Sequence, residues 1–363
     1  MTKAVRVLHV AETVRGGPAT YISDLIALQA KEFGAENIFS VTPLQDLSLL
    51  NFPAGVGSIG YRPWRWRVMS SLALAIRVCR EMRNIRPNVV HMHSTFAGLF
   101  LRGLLWVMYP NVVRVYCPHG WAFDRNASYL MKRIYISIEL FLSNFDNAII
   151  CISSHERRIA LQHGFLPSRL FLVKNGISNV DFSQLTDPVG WPKDCLRLLY
   201  VGRLDRQKGV DVLTRAMSLL GAGFHCILIG SAVVDTYIDD QPHSNITFGG
   251  WMTGDQLLAH FHFADVLVVP SRWEGFGLVA VEAMRAGTAV VASRVGGLVE
   301  IVEENVTGLL VEPDSPDALA NTLRACTARE FREMGQAGLR RYQGEFTASR
   351  VHQEILGIYQ KFL

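Results

Sequence analysis

The stretch that most constrains this chain is residues 270–300, PSRWEGFGLVAVEAMRAGTAVVASRVGGLVE. It follows an apolar run ending at Leu267–Val269, which reads as a strand buried on both faces. Pro270 and Ser271 stop that strand. Gly275 and Gly277 come next, where the chain must turn tightly or let a ligand approach its backbone. From Gly277 onward Leu278, Val281 and Met284 keep helical spacing. Glu274 therefore stands just before a helix, and Glu282, eight residues on, sits on its second turn. A strand, a glycine turn and a helix N-terminus make an anion site, because unpaired N–H groups and the helix dipole converge on one spot. Two carboxylates beside it suit sugar hydroxyls, which donate hydrogen bonds.

The same plan recurs upstream. Arg197–Val201 reads as a strand, Gly202-Arg203-Leu204 leaves its carboxyl end, and Lys208-Gly209 starts a helix. Arg203 and Lys208 are thereby held near a helix N-terminus, a cationic clamp for phosphates. At the start of the chain Ala4–Val10 reads as a strand, Arg15-Gly16-Gly17-Pro18 as a sharp turn, and Ala19–Ala30 as a helix. Strand, loop and helix in alternation predict α/β domains with parallel sheets.

The span from Glu274 to Glu282 resembles the E-x7-E signature of retaining glycosyltransferases of family 4. VGRLDRQKGVDVL (Val201–Leu213) resembles the phosphate-binding stretch of the same family. The resemblance covers most of the chain and is sharper in the second half. It implies the α/β GT-B fold: two Rossmann-like domains facing across a cleft. Residues 1–176 would form an acceptor-binding domain, 177–195 a linker, 196–345 a nucleotide-sugar-binding domain, and 346–363 a helix crossing back to the first. Glu282 would hold ribose hydroxyls and Glu274 hydroxyls of the donor sugar. Arg203 and Lys208 would neutralise the departing diphosphate, stabilising charge where it develops, with help from the amides of Gly275, Phe276, Gly277 and Leu278. Gly16 and Gly17 would lie near the diphosphate, Trp251 near the base, and His119 beside the transferred sugar. The catalytic set so implied is His119, Glu274, Arg203 and Lys208.

The resemblance further implies transfer, with retained configuration, from a nucleotide-diphosphate sugar to a glycan or polyprenyl-diphosphate-linked acceptor in bacterial cell-surface polysaccharide synthesis. Glu274 as a covalent nucleophile is the chemical alternative, but the family assigns it to binding. No Asp-x-Asp occurs in the 363 residues, so no metal or other cofactor is expected. Two other readings stay open. One is a nucleotide-sugar 2-epimerase of similar fold, although those lack the EGFGL turn and the E-x7-E pattern. The other is a non-catalytic nucleotide-sugar-binding component of a polysaccharide assembly complex, against which the intact site residues argue.

The chain is 49% hydrophobic and 19% charged, a globular composition. Six scattered Cys, with no C-x-x-C, fit a reducing cytosol and exclude zinc-ribbon and redox motifs. The first twelve residues read as a strand rather than a signal peptide, and Arg102 interrupts the longest apolar run, Phe96–Val113. A cytoplasmic protein is expected. Residues 1–195 carry 21 Lys and Arg against 13 Asp and Glu, whereas residues 196–363 carry 15 against 19. A basic half suggests an anionic partner, and no nucleic-acid motif accompanies it.

Residues 61–86 hold seven Arg and one Glu. A helix from about Trp64 would place Val68, Leu72, Ile76, Cys79 and Met82 on one face and Arg77, Arg80 and Arg83 opposite. The Trp64-Arg65-Trp66-Arg67 lead-in suits an anionic membrane surface, which would make the protein peripheral at the inner face of the cell membrane. His91 and His93 fall on one face of a strand; His91 reads as packed and His93 as facing the site, and without a third ligand no metal is expected there. His119, between Pro118 and Gly120, is read as held on a turn. Tyr129–Leu142 reads as an apolar core helix.

Overall fold

A computed structural model describes residues 5–14, 16–124, 128–188, 190–231 and 244–363. Ala4 and Arg15 of the expected first strand and turn, and Val189 of the expected linker, lie outside them. The chain forms two compact units, one of Met1–Ser178 with Ala348–Leu363 and one of Asn179–Thr347.

In the first unit the elements run β1 (Val7–Ala11), α1 (Gly17–Phe33), β2 (Ile38–Pro43), β3 (Gly57–Tyr61), α2 (Arg67–Ile85), β4 (Val89–His93), α3 (Thr95–Met108), β5 (Val113–Cys117), α4 (Tyr129–Leu142), β6 (Ala148–Cys151), α5 (Ser154–Gln162) and β7 (Leu170–Leu172). The second unit has β8 (Leu196–Val201), α6 (Val210–Leu220), β9 (Phe224–Ile229), β10 (Ile246–Gly250), α7 (Gly254–Phe263), β11 (Val266–Val269), α8 (Leu278–Arg285), β12 (Ala289–Ser293), α9 (Leu298–Ile301), β13 (Gly308–Val311), α10 (Pro316–Ala325) and α11 (Ala328–Glu345). The last helix, α12 (Ala348–Phe362), rejoins the first unit and packs on α1.

Both sheets are parallel, ordered β3-β2-β1-β4-β5-β6-β7 and β10-β9-β8-β11-β12-β13. Inner strands β4, β11 and β12 are Val-rich and buried throughout, as a sheet covered by helices on both faces requires. In each sheet the order reverses between two neighbouring strands, β1 and β4 in one, β8 and β11 in the other. Loops leaving those carboxyl ends are where doubly wound sheets bind ligands.

Two helix expectations for the first unit need correction. Helix α2 starts at Arg67, and its buried face is Ser71, Leu74, Ala75, Val78, Met82 and Ile85. Val68, Leu72 and Ile76 are exposed instead, because the helix carries two apolar stripes and the sheet takes the other one. Helix α4 is not a core helix. Its buried positions are Glu139 and Leu142, while Tyr129, Leu130, Ile134, Ile138 and Phe141 face outward. Glu139 turns inward because Arg102 is there: the guanidinium, fully buried, donates to Glu139 at 2.6 Å and to Asp146 at 3.3 Å, and lies 4.0 Å from the Tyr116 ring. The Arg that breaks the apolar run of α3 is thus a core residue satisfied by two acids, as a buried cation must be.

In the second unit Gly249 and Gly250 close strand β10, and Trp251 after them is exposed.

Candidate active site

In the second unit the two recognised motifs leave adjacent strands at the order reversal. Val201 ends β8 and Val269 ends β11. The loop after β8 is braced by Tyr200, whose hydroxyl donates to the Arg203 carbonyl at 2.7 Å. Asp205 caps the following 3-10 turn by accepting from the Lys208 amide at 3.1 Å. Gly209 then adopts φ 65°, and a Cβ there would lie 2.0 Å from the Pro270 carbonyl oxygen. That glycine lets the two loops press together.

The result is direct contact between the motifs. Lys208 Nζ donates to Glu274 Oε2 at 2.6 Å, and the Ser271 hydroxyl donates to the same oxygen at 3.3 Å. Both charged side chains are mostly covered, at 19% and 13% exposure. Arg203 is exposed; its guanidinium donates to Gln207 at 2.6 Å and pairs with Asp205 at 3.1 Å. Gln207 in turn donates to the Trp273 carbonyl at 3.3 Å. Arg272 ties the loop to α6 through a two-pronged contact with Asp211, each bond 2.8 Å. That pairing lowers the Asp211 carboxyl and raises the Arg272 guanidinium from their usual ranges.

Helix α8 begins after Gly277, which adopts φ 105° as N-cap; no side chain caps this terminus, so its first amides face the loop. Gly275 is half-buried and Phe276 buried, the latter packed edge-on against Phe346. Leu278 opens the helix and Glu282 lies on its second turn, half-buried.

The loop of Gly296 and Gly297 supplies what the motif reading left unassigned. The Gly297 amide donates to the Glu274 carbonyl at 3.2 Å. A Cβ on Gly296 would meet that carbonyl oxygen at 1.8 Å, and one on Gly297 would meet Phe276 Cα at 2.5 Å. These glycines were visible in the sequence as VGG after a strand, a signal of close backbone approach.

In the first unit Gly16 is exposed with φ 70° and is the N-cap of α1, while Gly17 opens the helix. His119 adopts φ 51° on the turn after β5. Its ring lies between Tyr21, edge-on at 4.8 Å, and His93, stacked at 5.3 Å. His93 does not face outward: it is buried, with Nδ1 3.0 Å from His119 Nε2 and Nε2 3.0 Å from His9 Nδ1. The third histidine absent from the sequence reading is His9, which pairs with His91 in the β1–β4 register. Burial lowers all four imidazoles, His9 and His119 to about 4, so each is neutral near pH 7.

Beside the Gly16 loop, a groove of about 380 Å³ is lined by Glu12, Thr13, Asp46, Trp64, Arg65 and Arg67. Arg67 pairs with Glu12 at 3.2 Å and lies over the Phe96 ring at 4.5 Å.

Residues 15–179 match the family described as Glycosyltransferase Family 4, and residues 195–329 match Glycosyl transferases group 1. A 41.2 kDa protein of the cps region of Klebsiella pneumoniae, itself uncharacterised, is 28% identical over 99% of this chain and 100% of its own length. Among solved structures, sucrose-phosphate synthase of Thermosynechococcus elongatus superposes with a TM-score of 0.84 at 21% identity, covering 98% of each chain. HepE of Anabaena in complex with UDP gives 0.77 at 18% identity, covering 98% of this chain and 100% of its own, and that protein has also been solved with UDP-glucose. The structural likenesses establish the fold, and the two family matches cover both units. This chain belongs to glycosyltransferase family 4 and is a glycosyltransferase of the GT-B type.

Proposed function

We propose that this protein moves a sugar from a nucleotide-diphosphate sugar to a glycan or polyprenyl-diphosphate-linked acceptor in bacterial cell-surface polysaccharide assembly, with retention of configuration and without a divalent metal. The observation that carries the reading is the Lys208–Glu274 contact beside the uncapped N-terminus of α8. A cation and free amides suit a diphosphate, and a carboxylate held next to them suits the hydroxyls of the attached sugar. Arg203 adds a second, exposed cation, so charge developing on the leaving diphosphate is met by fixed protein groups. The departing phosphate then takes the acceptor's proton on the face it leaves. HepE's complexes with UDP and UDP-glucose support a nucleotide-sugar donor, and the Klebsiella cps-region relative supports a polysaccharide setting. The groove of the first unit, with Arg65 and Arg67 beside Glu12, suits an acceptor carrying both phosphate and hydroxyls.

The test is incubation with a panel of UDP-, GDP- and ADP-sugars and a polyprenyl-diphosphate saccharide, with excess chelator in parallel. Release of nucleoside diphosphate, a product whose anomeric NMR signals match the donor's configuration, and unchanged rates with chelator are expected. Inverted product, or activity lost on chelation and restored by magnesium or manganese, overturns the respective claim.

A second element of the proposal is docking on an anionic bilayer, favoured by the outward face of the first unit. Tyr129, Leu130 and Phe141 on α4, Val107 on α3, and Trp64 and Trp66 before α2 are each more than 60% exposed. Helix α3 packs against both α2 and α4. Arg62, Arg65 and Arg133 are exposed nearby in sequence. No helix among the described residues is long and apolar enough to cross a membrane. Aromatic and aliphatic side chains with flanking Arg suit the headgroup boundary, where each basic residue contributes about 1 kcal/mol. In co-sedimentation, wild type should pellet with anionic vesicles at low salt. The Arg62→Ser/Arg65→Ser/Arg67→Ser and Leu130→Ser/Phe141→Ser variants should each pellet less; equal pelleting of all three, or none, removes the surface.

A further inference from the structure

Four histidines of the first unit, His9, His91, His93 and His119, belong to a directed chain whose polarity is set by one amide. Gln29, on α1 and buried, presents Oε1 to His9 Nε2 at 2.8 Å. A carbonyl oxygen only accepts, so His9 carries its proton on Nε2. Neutral His9 then has a bare Nδ1, which accepts from His93 Nε2 at 3.0 Å. By the same rule His93 Nδ1 is bare and accepts from His119 Nε2 at 3.0 Å. His119 Nδ1 is left bare, with the Cys117 thiol 3.7 Å away as its weak donor. On the other side Gln29 Nε2 donates to the Tyr359 hydroxyl at 3.4 Å, and that hydroxyl donates to His91 Nδ1 at 2.7 Å. His91 Nε2, buried, has no partner among the described residues. Every bond runs one way, and reversing the Gln29 amide reverses them all.

We propose that Gln29, acting through His9 and His93, is a positioning residue that locks His119 as the neutral tautomer protonated on Nε2, so that Nδ1 is a fixed hydrogen-bond acceptor at the end of β5. Tautomer selection by a partner on the far nitrogen is the general way a histidine is oriented. Burial keeps the rings uncharged, and the flanking Tyr21, Tyr359 and Cys117 are held protonated by the same burial. Because the thiol is a poor donor, a sugar hydroxyl can displace it from Nδ1. That last consequence rests on the donor reading above; the tautomer assignment does not. A metal held by His9, His91 and His93, whose nitrogens lie within 4.8 Å of one another, is the competing use of the cluster. It would break the His9–His93 bond.

The full chain with ¹⁵N-labelled histidine, observed by long-range ¹H–¹⁵N correlation at neutral pH, decides between them. His9, His93 and His119 should each show a bare Nδ1 and a protonated Nε2. Gln29→Met, which fills the space without the amide, should turn His119 into a tautomer mixture and lower kcat/KM about tenfold. Gln29→Glu, whose buried protonated carboxyl also offers one acceptor and one donor, should restore the wild-type pattern. A wild-type His119 protonated on Nδ1, a Gln29→Met spectrum unchanged at His119, or zinc at stoichiometric concentration shifting His9, His91 and His93 together would each overturn the proposal. The spectra need no turnover, so a failed donor assignment leaves them decisive.

Discussion

Lys208 and Glu274 should fail as a pair rather than one at a time. Lys208 Nζ lies 2.6 Å from Glu274 Oε2, and both side chains are largely covered. Under the proposed function, diphosphate oxygens of an entering donor compete for the ammonium, and the carboxylate so released accepts from the sugar hydroxyls. On that proposal each residue serves the other before substrate arrives and the donor afterwards. Lys208→Met removes a charge-assisted bond of about 1.5–3 kcal/mol and leaves the Glu274 carboxylate with the Ser271 hydroxyl as donor at 3.3 Å. That corresponds to a roughly ten- to hundredfold loss in kcat/KM. Glu274→Gln should lose a similar amount. In the double variant neither partner is stranded, so its loss should fall short of the product of the singles, with coupling on the order of 1 kcal/mol. The assay is the initial rate of nucleoside diphosphate release over a range of donor concentrations, with melting temperatures to confirm folding. Wild-type kinetics in either single variant, or losses that add within about 0.5 kcal/mol, would refute the shared-bond argument.

Gly296→Ala should lower both stability and kcat/KM, because its Cβ would stand 1.8 Å from the Glu274 carbonyl at φ 49°; Gly344→Ala, in α11 with nothing within 4 Å of its Cβ, should leave activity intact and raise the melting temperature. Asp146 gives a pH dependence: burial pushes its carboxyl up to about 7. A group raised from 3.8 to about 7 by folding favours the native state below its unfolded value and loses that stability as pH rises toward 7. The melting temperature of Asp146→Asn minus that of wild type should therefore climb between pH 5 and 8, and a flat or falling difference in thermal melts would contradict it.

The second unit was nearly all legible because its site is made by backbone. Glycines at a strand's end, a proline stop and helical spacing from Leu278 each have one cheap structural reading, and together they place Glu274 and Glu282 where the structure has them. What could not be read was partnership. Lys208 and Glu274 are 66 residues apart, and nothing local says that the Gly209 turn lets their loops touch. Gly296 and Gly297 were likewise visible as glycines, but not as the pair that grips the Glu274 carbonyl.

The first unit resisted because its burial inverts the usual rule. Apolar spacing on α4 predicted a core face, yet Leu130, Ile134, Ile138 and Phe141 point outward and Glu139 points in. Periodicity reports that a stripe exists and not which medium it faces; a core already closed around Arg102 and its two acids leaves the apolar stripe of α4 on the outside. The same holds for α2, whose second stripe, Val68, Leu72 and Ile76, was the one the spacing favoured. His9 had no local signal either, since a lone histidine in an apolar strand is an ordinary core residue until the β1–β4 register sets it beside His91. The departures at α4 and at His9 share one physical origin: a polar group was buried because a distant polar group was waiting for it. Arg102 has Glu139 and Asp146, and His9 has Gln29 and His93. Buried polar groups need such partners, and the partners come from other elements of the sheet and its helices, where no sequence window reaches.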